Sequence, residues 1–326
     1  MSSVLSKRMI KLGLAVMVIL LIAACGSADT QESEASEAEE TVHIGHQKFG
    51  TLNLLKAEGT LEERLAERDM EVEWVEFPAG PQLLEALNGG SVDFGHTGEA
   101  PPIFSQAAGA PLVYIANGES SPKSEAIVVQ EDSPIKEVSE LEGKKVALNR
   151  GSNVHYLLVK ALEEAGLSIN DIEPVYLAPA EARTAFDRGD VDAWAIWDPF
   201  LQSAEDDLNA QIIRDAQGIA DNREFLLAER SFAENQPEIM DIILEELEEV
   251  EQDVKENPEE YAEFLSPQVG LDTETLTKVL KRRELGLHRI EQNVLDDQQN
   301  IADTFYNLDL IPEELSIQEA SLEEEE

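Results

Sequence analysis

Three short segments of this chain share one chemical form. Phe77-Pro78-Ala79-Gly80-Pro81-Gln82 runs into Leu83-Leu84. Gly95-His96-Thr97-Gly98-Glu99-Ala100-Pro101-Pro102 runs into Ile103. Asn149-Arg150-Gly151-Ser152-Asn153 runs into Val154. Each reads as the end of a strand, a turn of small residues and the start of a helix. A helix start leaves backbone N–H groups without intrahelical acceptors and carries the positive end of the helix dipole. Gly80, Gly98 and Gly151 let a ligand approach the backbone, while Thr97 and Ser152 add hydroxyls. Ordinary helix capping accounts for any one of these segments alone. Three aimed into one cleft would make an anion site without any buried arginine.

A fourth segment, Asp192-Ala193-Trp194-Ala195-Ile196-Trp197-Asp198-Pro199, closes a strand with aromatics and an acid. Alternation puts Trp194 and Ile196 on one face, Ala195 and Trp197 on the other. Trp194 is the candidate core residue. Trp197, beside the break at Pro199, is the candidate wall for the apolar part of a ligand. Asp198 either binds an amine on the ligand or caps a turn. His43 and His46 lie three apart in a strand and face opposite ways, and His96, His155 and His288 have no sequence partner, so no metal site is expected. No phosphate-binding loop, nucleophile elbow or dinucleotide fingerprint is present. Ser152 and His155 are spaced for a nucleophilic pair, a minor alternative. No catalytic residue and no cofactor is expected.

The elements that must hold these residues alternate. Strands are expected at 42–45, 71–77, 92–95, 112–116, 126–129, 145–148, 174–177 and 193–196. Helices are expected at 52–68, 82–88, 103–108, 154–165 and 180–188. From about Phe232 the chain turns helical, with Ile239 to Val254 the longest run. Two successive βα blocks followed by helices imply two α/β lobes with largely parallel sheets and a cleft between them. One lobe is expected at 41–125 and 224–315, the other at 126–223.

The bulk chemistry sets limits. With 68 acidic and 24 basic residues among 326, the formal charge is −44. Such a surface repels nucleic acid and anionic membranes, and it suits high salt. The single cysteine, Cys25, excludes an intrachain disulfide. It follows a basic start (Lys7, Arg8, Lys11) and an apolar run from Leu12 to Ala24, too short for a comfortable membrane span. This resembles a bacterial lipoprotein signal, in which Cys25 becomes the lipidated N-terminus. An ordinary secretory signal is the alternative. Residues 26–40 read as an acidic tether and 316–326 as an acidic tail.

Several runs resemble the aliphatic sulfonate-binding proteins of ABC importers. They are Ile44-Gly45-His46-Gln47-Lys48, the stretch from Trp74-Val75-Glu76-Phe77-Pro78-Ala79-Gly80-Pro81-Gln82 to Asn88, Thr97-Gly98-Glu99-Ala100-Pro101-Pro102-Ile103-Phe104, and Val191-Asp192-Ala193-Trp194-Ala195-Ile196-Trp197-Asp198-Pro199. The likeness extends from about Val42 to about Pro312. Taurine- and nitrate-binding proteins are more distant relatives. The resemblance implies a two-lobed, periplasmic-binding-protein-like (type II) fold that closes on its ligand by hinge motion and catalyses nothing. It implies an alkanesulfonate ligand, a permease with its ATPase as partners, and a monomer held outside the cell membrane. Taurine, nitrate or another small organic anion is the alternative ligand. The family's binding positions fall on Gln47, Gly80, Pro81, Gln82, Thr97, Gly98, Gly151, Ser152 and Trp197. Asn153, beside Ser152, and Asp198 complete the candidate set. His46 stands where the family has tyrosine, and Asn153 replaces a small hydroxyl residue. An enzyme on this architecture, as in the thiamine-pyrimidine synthases, would need a cleft cluster of histidines or cysteines that the sequence does not offer.

Overall fold

The computed structural model describes residues 40–322. Cys25 with its apolar run, nearly all of the expected tether and the last four glutamates lie outside the described residues. The chain first lays down β1 (Glu40–Gln47), α1 (Thr51–Glu58), α2 (Thr60–Ala66), β2 (Met70–Phe77), α3 (Gly80–Asn88), β3 (Phe94–Gly98), α4 (Pro101–Ala107) and β4 (Leu112–Gly118). It then crosses to β5 (Glu125–Val129), β6 (Lys145–Leu148), α5 (Asn153–Glu164), β7 (Glu173–Tyr176), α6 (Pro179–Asp187), β8 (Ala193–Trp197), α7 (Phe200–Leu208) and β9 (Gln211–Asp215). It returns through β10 (Glu224–Glu229), α8 (Arg230–Asn235), α9 (Pro237–Glu256), α10 (Pro258–Val269), α11 (Thr273–Arg282), β11 (Leu287–Arg289) and α12 (Gln292–Asn307).

Two sheets result. The first has the order β11-β4-β10-β3-β1-β2 and the second β7-β6-β8-β5-β9. Each packs helices on both faces, so its central strands are apolar on both sides. In β5, Ile127 and Val129 join one core cluster while Ala126 and Val128 join the other, as strand alternation requires.

The sheets are mixed, not largely parallel. β1 pairs in parallel with β2 and β3, and β6 with β7 and β8. The pairs made by β10, β11, β5 and β9 are antiparallel. These are the strands that carry the chain into and out of each sheet, and a strand entering beside a βα block without its own crossover helix runs the other way. The helix expected at 52–68 is two helices, because Gly59 adopts φ 75 and ends the first turn set in the left-handed region. The strand expected at 92–95 begins at Phe94 and continues to Gly98, so His96 and Thr97 belong to the sheet and not to a turn. Glu40 belongs to β1 rather than to a tether. The acidic tail is also corrected. Ile317 and Ala320 are 1% and 2% exposed, and Gln299 Oε1 accepts from Ile317 N at 2.9 Å, so these two apolar residues bind that stretch to the core despite its acidic neighbours. Among the described residues no helix is long and apolar enough to cross a membrane.

Candidate functional site

Where the ends of β1 and β3 and the start of α3 beside the first sheet meet the start of α5 and the end of β8 at the second, they line a cleft of about 830 Å³ that opens to solvent. Gln47, Gly80, Thr97, Gly98, Ser152, Asn153, Trp197 and Asp198 all line it. Pro81, Gln82 and Gly151 are not among its lining side chains. The segments separated in sequence by more than a hundred residues therefore do converge.

The three helix starts are not equivalent. α3 has Ala79 as its N-cap, and Gly80 and Gln82 offer first-turn amides, while Pro81 has none. α5 has Ser152 as its N-cap and offers the amides of Asn153 and Val154. α4 begins with Pro101 and Pro102, which have no N–H, and Ile103 N already donates to Ala100 O at 3.1 Å. The second segment thus supplies its strand end, Thr97 and Gly98, and not a helix start. The hydroxyls also differ from expectation. Thr97 Oγ1 donates to Gly98 O at 2.9 Å and Ser152 Oγ to Asn149 O at 2.7 Å. Both hydrogens are committed in this conformation, which leaves the backbone amides as the donors that these segments present to the cleft. The Gly151 amide donates to His155 Nδ1 at 3.3 Å, so it is not free for a ligand. That bond occupies His155 Nδ1, and Ser152 Oγ donates to Asn149 O instead, so Ser152 and His155 do not form a nucleophilic pair. Burial pushes His155 down to about 4.

Trp194 is buried at 1% exposure against Phe186, with ring centroids 5.8 Å apart. Trp197 lines the cleft. His46, by contrast, is buried away from it, between Gln47 O at 3.0 Å, Lys56 Nζ at 3.0 Å and the Trp74 ring. His46 is therefore a packing residue in this chain and not among those that line the cleft.

Sequence reasoning missed a second layer of the site. Gln47 N donates to His96 Nε2 at 3.2 Å, which places the ring proton on Nδ1. That Nδ1 lies 3.0 Å from Glu224 Oε1, at an oblique angle for a hydrogen bond. The other Glu224 oxygen accepts from Arg283, which also reaches Thr51 Oγ1 at 2.8 Å. Although burial opposes it, the positive charge of Arg283 with help from His96 holds the Glu224 carboxyl far below the usual range. Nothing local in the sequence ties residues 96, 224 and 283.

A further pair sits where the chain crosses between sheets. Glu99 and Glu125 are 2% and 0% exposed, and one oxygen of each has no protein partner. Burial raises Glu99 to about 8, and burial with the charge of Glu99 raises Glu125 as well. A carboxyl raised in the folded state subtracts stability once the unfolded chain can ionise. For Glu99 that loss begins near pH 4.5 and is complete near 8, at about 1.4 kcal/mol per pH unit. Unfolding free energies from urea titrations at pH 5 and pH 8 should therefore differ by several kcal/mol more in the parent than in Glu99→Gln. Parallel behaviour of the two proteins would contradict this assignment.

Among the described residues no group of three or more His, Cys, Asp or Glu side chains could hold a metal ion. Residues 65–261 match the NMT1/THI5-like family model. The chain is 40% identical over 306 residues to an aliphatic sulfonates-binding protein of Escherichia coli K12, covering 93% of this chain and 95% of that one. The chain belongs to the family of aliphatic sulfonate-binding proteins. A counterpart in Bacillus subtilis is 32% identical over 93% of this chain and 92% of its own. Among solved structures of this family, the alkanesulfonate-binding protein of Xanthomonas axonopodis pv. citri, bound to MOPS, superposes with a TM-score of 0.83. It is 37% identical and covers 86% of this chain and 98% of its own. The periplasmic aliphatic sulphonate binding protein of E. coli gives a TM-score of 0.79 at 41% identity over 86% of this chain and 97% of its own.

Proposed function

We propose that this protein is the substrate-binding subunit of an ABC importer and captures aliphatic sulfonates in the cleft. The observation that carries the reading is the convergence of two helix starts, at Gly80–Gln82 and Asn153–Val154, from different sheets onto one cavity walled by Trp197. A sulfonate has three acceptor oxygens and needs donors from several directions, and uncharged amides at about 3 Å provide them without relying on long-range charge. The ligand's alkyl part lies on Trp197. Gln47, Thr97, Gly98, Gly151, Ser152, Asn153 and Asp198 complete the site, with Gly151 acting through its turn. Residues 41–125 with 224–315 form one lobe and 126–223 the other. The lobes close on the ligand, and the closed form docks as a monomer on a permease driven by its ATPase. The protein works on the extracytoplasmic side, anchored by lipid at Cys25, and performs no catalysis.

Titration calorimetry of the purified protein with ethanesulfonate, nitrate and sulfate tests the reading. Ethanesulfonate is expected to bind with about micromolar affinity, roughly −8 kcal/mol. Affinity should survive molar salt, where the screening length is about 3 Å and long-range repulsion from the acidic surface disappears. Absence of binding by any of the three at either salt would defeat the anion site. Trp197→Ala should weaken longer alkanesulfonates about tenfold, or ~1.4 kcal/mol, through lost apolar contact. An effect that does not grow with chain length would remove Trp197 from the alkyl wall.

A further inference from the structure

Carboxyl groups crowd the cleft, and burial raises two of them, Asp198 to about 7 and Glu251 above its usual range, so an added cation and not an added anion favours their ionised forms. Asp198, Glu251, Glu119 and Glu284 line it with Glu224, against Arg223 and Arg283. Both arginines already have carboxylate partners, Asp221 and Glu224. Arg282, behind the wall, is shared between Asp198 at 3.3 Å and Glu205 at 2.5 Å, so one positive charge serves two negative ones. A simple alkanesulfonate would bring one more negative charge into this enclosure, where closure removes screening water.

Hydrogen bonding points the same way. The Asp198 side chain is 6% exposed. Its Oδ1 accepts from Gln202 N at 3.1 Å and from Arg282, but its Oδ2 has no partner. Ser124 is 8% exposed, and its hydroxyl also has no partner. The two are neighbours, since Asp198 N donates to Ser124 O at 2.8 Å, and both line the cleft. A sulfonate consists only of acceptors and cannot serve an ionised Asp198 oxygen. An alkyl end would bury it unmet, at a cost. A primary ammonium has three donors and one positive charge. It could serve Asp198 Oδ2 and Ser124 Oγ together.

We infer that the cleft is built for a zwitterion, a sulfonate carrying a protonated primary amine, with the sulfonate on the amides of the helix starts and the ammonium on Asp198 and Ser124. This rests on the sulfonate reading above and narrows it. Such a ligand is neutral overall, so the strongly acidic surface does not repel it on approach.

Calorimetry of amine and methyl isosteres on the purified protein separates the two ideas. Taurine is compared with propanesulfonate, and homotaurine with butanesulfonate. At least one amine is expected to bind tenfold or more tightly than its methyl partner, about one decade in Kd. Water displaced from Asp198 is common to both members of a pair, so the ratio reports the ammonium. Asp198→Asn, which keeps the shape and one acceptor, should bring that ratio close to one, and Ser124→Ala should reduce it in part. Methyl members binding as well as or better than both amines would overturn the inference and leave the sulfonate reading standing. An undiminished ratio in Asp198→Asn would overturn the assignment to Asp198. Failure of every sulfonate to bind would remove both.

Discussion

Gly98→Ala should all but abolish sulfonate capture, with affinity falling at least about a hundredfold, or ~2.7 kcal/mol. A methyl group on Gly98 would sit 2.0 Å from Asn153 Oδ1 and 2.4 Å from its Cγ. Gly98 ends β3 in the first sheet, and Asn153 opens α5 in the second. The carboxamide cannot simply swing aside. Its Nδ2 donates to Asn222 Oδ1 at 2.6 Å and to Glu125 Oε2 at 3.2 Å, and Glu125 is fully buried with its other oxygen unmet. The sheets must then separate at the point where the helix-start amides face the cleft. The fold of each sheet should be untouched, so thermal stability changes little while calorimetric binding disappears. Asn153→Gly in the same chain removes the obstruction and should restore part of the affinity. Full binding by Gly98→Ala alone would mean that the end of β3 and the start of α5 do not approach this closely when the ligand is held.

That contact also marks the limit of what sequence could reveal. The strands, most helices and the convergence of Gly80, Thr97, Gly98, Ser152 and Trp197 follow from alternation, turn residues and the runs that resemble the family. Those signals are local, with a period of two or 3.6 residues. What escaped them is set by chain pairs far apart. β9, β10 and β11 are short with charged residues at their ends, and pairing with β5, β4 and β3 makes them strands. The positions of the prolines were legible, yet the inference from glycine and hydroxyl content to a donor set overreached at α4. Pro101 and Pro102 remove the very amides that a helix start is valued for. The direction of a hydroxyl hydrogen, as in Thr97 and Ser152, depends on a neighbouring carbonyl that no spacing rule locates. Asp198 shows the reverse case. Of its two readings, amine partner or turn cap, the structure shows the cap, since Oδ1 accepts from Gln202 N, while Oδ2 has no protein partner and the amine reading stays a proposal.

The support behind Gln47 should prove the most sensitive part of the fold. Replacing Arg283 with methionine is expected to cost about 3–5 kcal/mol, the range for breaking one side of a buried ion pair. Glu224, 16% exposed, would keep only the oblique contact with His96, and Glu251, 4% exposed, would lose the nearby charge that offsets its own burial. Because Gln47 N donates into the His96 ring, the same change should loosen the Gln47 side of the cleft and weaken sulfonate binding as well. The double change Arg283→Met with Glu224→Gln should recover much of the stability, since it removes the stranded charge along with its partner. The pH response gives an independent check. A carboxyl held low in the folded state contributes stability above its unfolded value, and that contribution is lost as pH falls below about 4.5. The parent should therefore lose urea stability steeply in acid, and Arg283→Met, already without the pair, should lose much less over the same range. A variant within about 1 kcal/mol of the parent at neutral pH, with an unchanged acid limb, would show that Arg283 and Glu224 are ordinary surface charges and that Gln47 is held by the strand alone.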